Sequence, residues 1–213
     1  MTRDGRLERG EQSRRLILRR AAEIASAEGL ESLSIGRLAG ELGLSKSGVF
    51  ALFGSKEDLQ LATVALAQQS VVDEVVRPAL ASADPLWTLC EGWLSYSERR
   101  VFPGGCFFAS VRPEFDGRPG RVRDAIAEAG RKQLSLIARL ARDAGLPDPE
   151  QLAFEVVALL DAANAASALY DDASAYDRAR VALRARIAMP TGTLSSVATP
   201  NDTSIASAGS STI

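Results

Sequence analysis

The chain has 213 residues, 46% hydrophobic and 24% charged, with a formal net charge of −2 and a pI near 5.4. This is a globular composition, long enough for one sizeable core or a small domain joined to a larger one. Histidine is absent, which removes a Ser-His-Asp triad, histidine zinc ligands and the commonest general base; no catalytic residue, metal site or cofactor is assigned, and the chain is read as not an enzyme.

Residues 1–20 carry seven arginines against Asp4, Glu8 and Glu11, a local balance of +4 that leaves −6 on the remainder. A basic opening on an acidic body suits a local phosphate contact, and equally an arginine-rich helix start facing solvent. Residues 1–12, with Arg3, Arg6 and Arg9, are expected to form a basic flexible arm. No apolar h-region follows, so no secretory signal is read there. The longest apolar runs are short and soon broken by Gln or Asp, so no membrane partner is expected. Cys90 and Cys106 lie in no CxxC pair and are expected to be reduced, in a cytoplasmic protein.

Helical spacing recurs along the chain and sustained alternation does not, so the fold class is all-α. Leu16, Ile17, Ala21, Ile24 and Ala25 form the first stripe, stopped at Glu28-Gly29. Ser34 is placed to cap a short helix over Ile35–Leu42, and Ser45 a second one over 45–52 after the turn at Gly43. Ser55-Lys-Glu-Asp58 opens a longer helix to about Val76. Arg77-Pro78 and Asp84-Pro85 bracket an expected loop. Helices then fit 85–100, 106–112, 118–144, 149–170 and 173–188. The tail 189–213 is Ser, Thr and Ala with one charge, Asp202, and is expected to be disordered.

The stretch "LSKSGVFALFGSKEDL" (44–59) admits three kinds of chemistry. A phosphate loop needs GxxxxGK[ST] after a strand; Gly48 meets Phe53 at the wrong place, and Gly54-Ser55-Lys56 reverses the required order. A nucleophile elbow needs GxSxG, which is missing. Two short helices around Gly43 instead make a helix-turn-helix, with Leu38, Ala39, Leu42, Leu44, Val49 and Phe53 as its apolar joint. Ser45, Lys46, Ser47 and Ala51 then face outward on a surface that fits a major groove.

From about Ser13 to Ala65 the sequence resembles the N-terminal domain of TetR-family transcriptional repressors. The marks are "RRLILRRAAEIASAEGLESLS", "IGRLAGELGLSKSGVFALF" and "GSKEDL", in order and at the expected spacing. The resemblance implies an all-helical dimer that binds double-stranded operator DNA and senses an unknown small-molecule effector through its C-terminal domain. It divides the chain into a helix-turn-helix domain, 13–60, and an effector-binding and dimerisation domain, 61–188. It places Ser45, Lys46, Ser47 and Gly48 at the groove-facing start of the recognition helix, Phe50 and Ala51 on the same DNA-binding surface, Lys56 on a phosphate, and Ser34 and Arg37 on the helix that abuts the DNA backbone. Two positions depart from the family: a frequent tyrosine is Phe50 here, which loses a phenolic hydrogen bond to phosphate, and a frequent polar position is Leu52. Phe50 is also readable as partly core.

Trp87, Trp93, Tyr96, Phe102, Cys106 and Phe107 are the candidate ligand-pocket residues, on the reading that the family places its effector among the central helices; an aromatic core explains the same pattern. Cys106 is readable as a buried small residue or a thiol sensor, and lacks a basic neighbour in sequence. The helix 149–170 is apolar or small over more than one stripe, which suits contact on two sides. With 173–188 it resembles the family's dimer-forming pair, and Val156, Leu159, Ala162, Ala163, Ala166 and Tyr170 are the candidate interface. An interior helix of a monomer is the alternative.

Overall fold

The computed structural model describes residues 3–188, with side chains from Gly10 onward; the expected tail lies outside the described residues. These residues form ten α-helices: α1 Arg3–Glu28, α2 Ile35–Glu41, α3 Lys46–Phe53, α4 Lys56–Val71, α5 Arg77–Leu80, α6 Pro85–Glu98, α7 Phe107–Phe115, α8 Arg121–Asp143, α9 Pro149–Leu169 and α10 Ala175–Ile187. No strand occurs among the described residues. The three serines singled out as caps all act as caps. Ser34 Oγ accepts from Arg37 N at 3.1 Å, Ser45 Oγ from Gly48 N at 3.1 Å and Ser55 Oγ from Asp58 N at 3.0 Å. Each such cap stabilises its helix by about 1 kcal/mol.

Three expectations are corrected. The first helix begins at Arg3, so residues 3–12 extend α1 instead of forming a separate arm; the segment has no proline, and Glu11 stands three and four residues before Arg14 and Arg15, a spacing that supports helix. Leu16 is 54% exposed, because it shares a face with Arg20 and Glu23, while Ile17, Leu18, Ala21 and Ile24 are buried. The loop expected from Arg77 is mostly helix. A π-helical turn, Val72–Val76, joins α4 to α5 without a break, and only residues 81–84 form the connection to α6. Pro78 lies two residues beyond the π-helical turn, inside the continuous helix, where it removes one backbone donor.

The helix-turn-helix rests on α1 and α4. Leu38, Ala39, Val49 and Phe53 are buried and Leu42 and Leu44 half-buried, as the joint requires. Gly43 (φ +65°) makes the turn between α2 and α3, and Gly54 (φ +76°) ends α3. Arg14 locks α1 to the end of α3. Its Nη1 donates to the Leu52 carbonyl at 3.0 Å, and its guanidinium lies 4.7 Å from the Phe53 ring centroid.

The second domain docks on α1 through the loop before α7. A Cβ on Gly104 would overlap the Ser26 carbonyl oxygen, and one on Gly105 (φ +82°) the Asn164 side chain. Only glycine lets these backbones approach. Gly104 N donates to Ser26 Oγ at 3.2 Å, and Cys106 N to Asn164 Oδ1 at 2.9 Å. The α7 carboxylate of Glu114 closes the junction by accepting from Leu30 N (2.8 Å) and Glu31 N (3.0 Å).

Helix α9 packs between α8 and α10. By length and composition it is apolar enough to cross a membrane, which the sequence reading did not expect. Here it is a bundle helix whose Glu155 and Asp161 pair with Arg186 and Arg112.

Candidate functional site

The start of α3 is the most open polar surface of the helix-turn-helix. Ser45, Lys46, Ser47, Gly48, Phe50 and Ala51 are all exposed, and among the described residues no ion pair holds Lys46. Phe50 is 54% exposed, so it is a surface residue and not part of the joint. The cap uses Ser45 Oγ, which leaves the Ser47 hydroxyl and the Lys46 ammonium facing solvent beside a helix N-terminus. That combination favours an anion.

The flanking cations are held differently. Arg37 donates to both Glu28 carboxylate oxygens at 2.6 and 2.7 Å and to Glu41 at 2.8 Å. These bonds hold the Glu28 and Glu41 carboxyls below the usual range. Lys56 donates to the Glu31 carbonyl at 2.6 Å and to its carboxylate at 3.2 Å. Gln60, foremost, and then Lys56 hold the Glu31 carboxyl low. Sequence spacing showed where Arg37 and Lys56 stand, and the acidic partners 9 and 25 positions away complete their surroundings.

A chamber of about 160 Å³ lies among α4, the π-helical turn, α6, α7 and α8. Val71, Val72, Val76, Trp93, Phe108 and Leu136 supply apolar wall, while Gln68, Lys132 and Gln133 supply its polar groups. Of the six residues expected at a pocket, Trp93 lines this chamber. Tyr96, Phe102 and Phe107 pack instead as an aromatic chain in the core. Tyr96 and Phe102 are edge-on at 6.4 Å between centroids, and Phe102 and Phe107 lie 6.0 Å apart. Trp87 is capped by the Arg184 guanidinium, 3.8 Å above its ring. Cys106 is buried, and burial pushes its thiol up from the ordinary range, away from the reactive thiolate. Cys90 is pushed up to about 12 for the same reason.

Gln133 and the valines escaped the sequence reading. Phe108 directly follows Phe107, and neighbouring positions on a helix face about 100° apart, so one enters the core and the other the chamber. Gln133 lies in the strongly amphipathic α8, on the face of Ile126, Ile137 and Leu140. A polar residue on an apolar face is the signal that marks it.

The expected interface residues divide between two faces. Val156 and Ala163 are buried against the subunit's own core, Leu159 and Ala166 are half-buried, and Ala162 and Tyr170 are exposed. The helical period puts 152, 156, 160 and 163 inward, which corrects the placement of Val156 and Ala163. The outer face of α9 carries Phe154 (65% exposed), Ala158, Ala162, Ala165 and Leu169, with Val181 exposed on α10.

A capped helix-turn-helix with a polar, cationic start to its second helix, joined to a larger helical domain, defines the class: a DNA-binding transcriptional regulator. The family model described as "Bacterial regulatory proteins, tetR family" matches residues 17–63, and that of the "Tetracyclin repressor-like, C-terminal domain" matches residues 82–183. The chain belongs to the TetR family, whose members are DNA-binding regulators and often respond to ligands. A TetR transcriptional regulator from Chloroflexus aurantiacus is similar, with 23% identity over 84% of this chain and 96% of that one and a TM-score of 0.77. A TetR-family regulator from Agrobacterium tumefaciens gives 18%, 83%, 98% and 0.74. AibR, solved in complex with isovaleryl coenzyme A and operator DNA, gives 20%, 70%, 83% and 0.58. No curated protein matches the chain.

Proposed function

We propose that the protein is a homodimeric, cytoplasmic repressor, not an enzyme, released from a palindromic operator when a small molecule enters the chamber. The observation that carries this reading is one continuous helical rod. It opens at Lys56 beside α3, and its π-helical turn, Val72–Val76, supplies chamber wall. A ligand that prefers one arrangement of that wall shifts the population of the whole rod, and with it the spacing of two recognition helices. π-Helical turns are rare and occur frequently at functional sites, which fits a wall that takes part in such a shift.

Lys46, Ser47 and Gly48 enter the groove in this reading, with Phe50 and Ala51 supplying apolar contact to thymine methyl groups. Ser34, Ser45 and Lys56 meet phosphates, and Arg37 does so by sharing its carboxylate-held guanidinium. Two copies join through the outer face of α9 with α10, because a row of exposed apolar and small side chains loses its water most readily against its own copy. AibR, bound to both operator DNA and a ligand, supports the two-site arrangement by likeness of fold. Selection of bound sequences from random DNA tests the reading: it should return an inverted repeat. Recovery of no preferred sequence would contradict it.

A further inference from the structure

One polar group of the chamber has its orientation fixed by its neighbours. Gln133 is 8% exposed and lines the chamber. Its Oε1 accepts from Arg112 Nη2 at 2.8 Å, and Arg112 Nη1 donates to Asp161 Oδ2 at 2.7 Å. A guanidinium has donors and no acceptor, so the carboxamide meets it with oxygen only. That removes the usual freedom of an amide to exchange its O and N. Among the described residues Nε2 has no protein partner, and since no fully buried side-chain N or O is left unpaired, Nε2 keeps accessible surface on the chamber that Gln133 lines. Asp161 and Arg112 polarise the amide from behind, which strengthens Nε2 as a donor.

The rest of the chamber narrows the occupant. Its volume, about 160 Å³, is close to the roughly 150 Å³ of an apolar cavity that holds benzene. Its wall is apolar on most sides, and no carboxylate is among its lining residues. Lys132, exposed to solvent and loosely paired with Glu128 at 3.8 Å, is its one lining charge. A donor-only cation would therefore meet Nε2 and Lys132 with the wrong polarity.

We infer that the chamber takes an apolar molecule about the size of one six-membered ring carrying a carbonyl or carboxylate oxygen, and that Gln133 Nε2 donates to that oxygen. The inference rests on the proposed function only for its consequence at the operator.

Four probes of matched size test it: acetophenone, benzoate, ethylbenzene and benzylamine, each titrated by calorimetry and by the tryptophan fluorescence, in which Trp93 is the fluorophore that lines the chamber. Ethylbenzene is the most hydrophobic, so raw affinities mix burial with the hydrogen bond. The discriminating quantity is the acetophenone-to-ethylbenzene affinity ratio, which should fall about ten-fold in Gln133→Leu. A ratio unchanged by Gln133→Leu would overturn the inference. Gln133→Glu keeps one oxygen for Arg112 and turns another toward the chamber, so its preference should move to benzylamine. Should the leucine variant fail to fold, the wild-type series still decides, because benzylamine binding as tightly as acetophenone overturns the assignment. Lys132→Ala separates the two oxygen types, weakening benzoate several-fold while sparing acetophenone. If acetophenone binds with the expected ratio but leaves operator affinity unchanged, the effector reading falls and the chamber chemistry stands. If none of the four binds, the inference falls.

Discussion

The reading head and the chamber are built under opposite constraints. Around α2 and α3 each decisive feature is local: a serine caps the helix it precedes, a glycine turns the chain it interrupts, and an exposed side chain has few neighbours to satisfy. The chamber is assembled from residues between Gln68 and Leu136, on four helices and a π-helical turn, and no short stretch contains it. What a local motif can do follows from spacing, whereas what a cavity can bind follows from which side of each helix the core has already claimed.

The largest contrast between local and long-range construction comes from adding one methyl group to the reading head and one to the junction between α1 and the second domain. Gly104→Ala drives a Cβ into the Ser26 carbonyl at the domain junction, where backbone must move. Denaturant unfolding should show a loss of about 3 kcal/mol or more. Gly48→Ala meets only the Ser45 hydroxyl, so moving it gives up at most the α3 cap, about 1 kcal/mol, which the better helix propensity of alanine offsets by a similar amount. Its stability should be unchanged or slightly raised while operator affinity falls, since the methyl stands where the groove approaches. Equal destabilisation by both changes would erase the distinction drawn here.

A second test concerns the outer face of α9. Phe154→Glu together with Ala162→Glu places charges on the proposed subunit contact without touching the inward Val156 and Ala163. Sedimentation should show monomers with near-native helix content. A surviving dimer would place the contact elsewhere.

The smallest expected effect is at Lys56. Lys56→Ala removes the bond to Glu31 and the proposed phosphate contact, so affinity should fall for all sequences alike and the salt slope should drop by about one. Lys46→Ala should instead relax the base preference. An unaltered salt slope for Lys56→Ala would mean that Glu31 holds the lysine away from DNA.

The all-helical class, the helix-turn-helix and its serine caps were legible because the information lies within a turn or two of each feature. The joint residues followed from the same short spacing. Glu41, four residues on from Arg37, is a local partner, but Glu28 and Glu31 reach Arg37 and Lys56 only through the tertiary fold, from the end of α1 and the turn after it. Aromatic content pointed to the right part of the chain and to Trp93, but composition cannot say that Phe107 enters the core and Phe108 the chamber. Nor can an alanine-rich helix show which of its sides faces its own core until α8 and α10 are packed against it. The helical start of α1 at Arg3 was missed because a cluster of arginines reads alike as an arm or as a helix face.

The account stands on coupling between the chamber and the reading head. The direct measurement is the affinity of a chamber ligand, one whose binding is lost in Gln133→Leu, with and without saturating operator. Linkage requires that operator weaken the ligand by the same factor by which the ligand weakens operator, about five-fold or more for a working switch. A fall of that size in both directions is the predicted result. Identical ligand affinity with and without operator would contradict the proposed release mechanism.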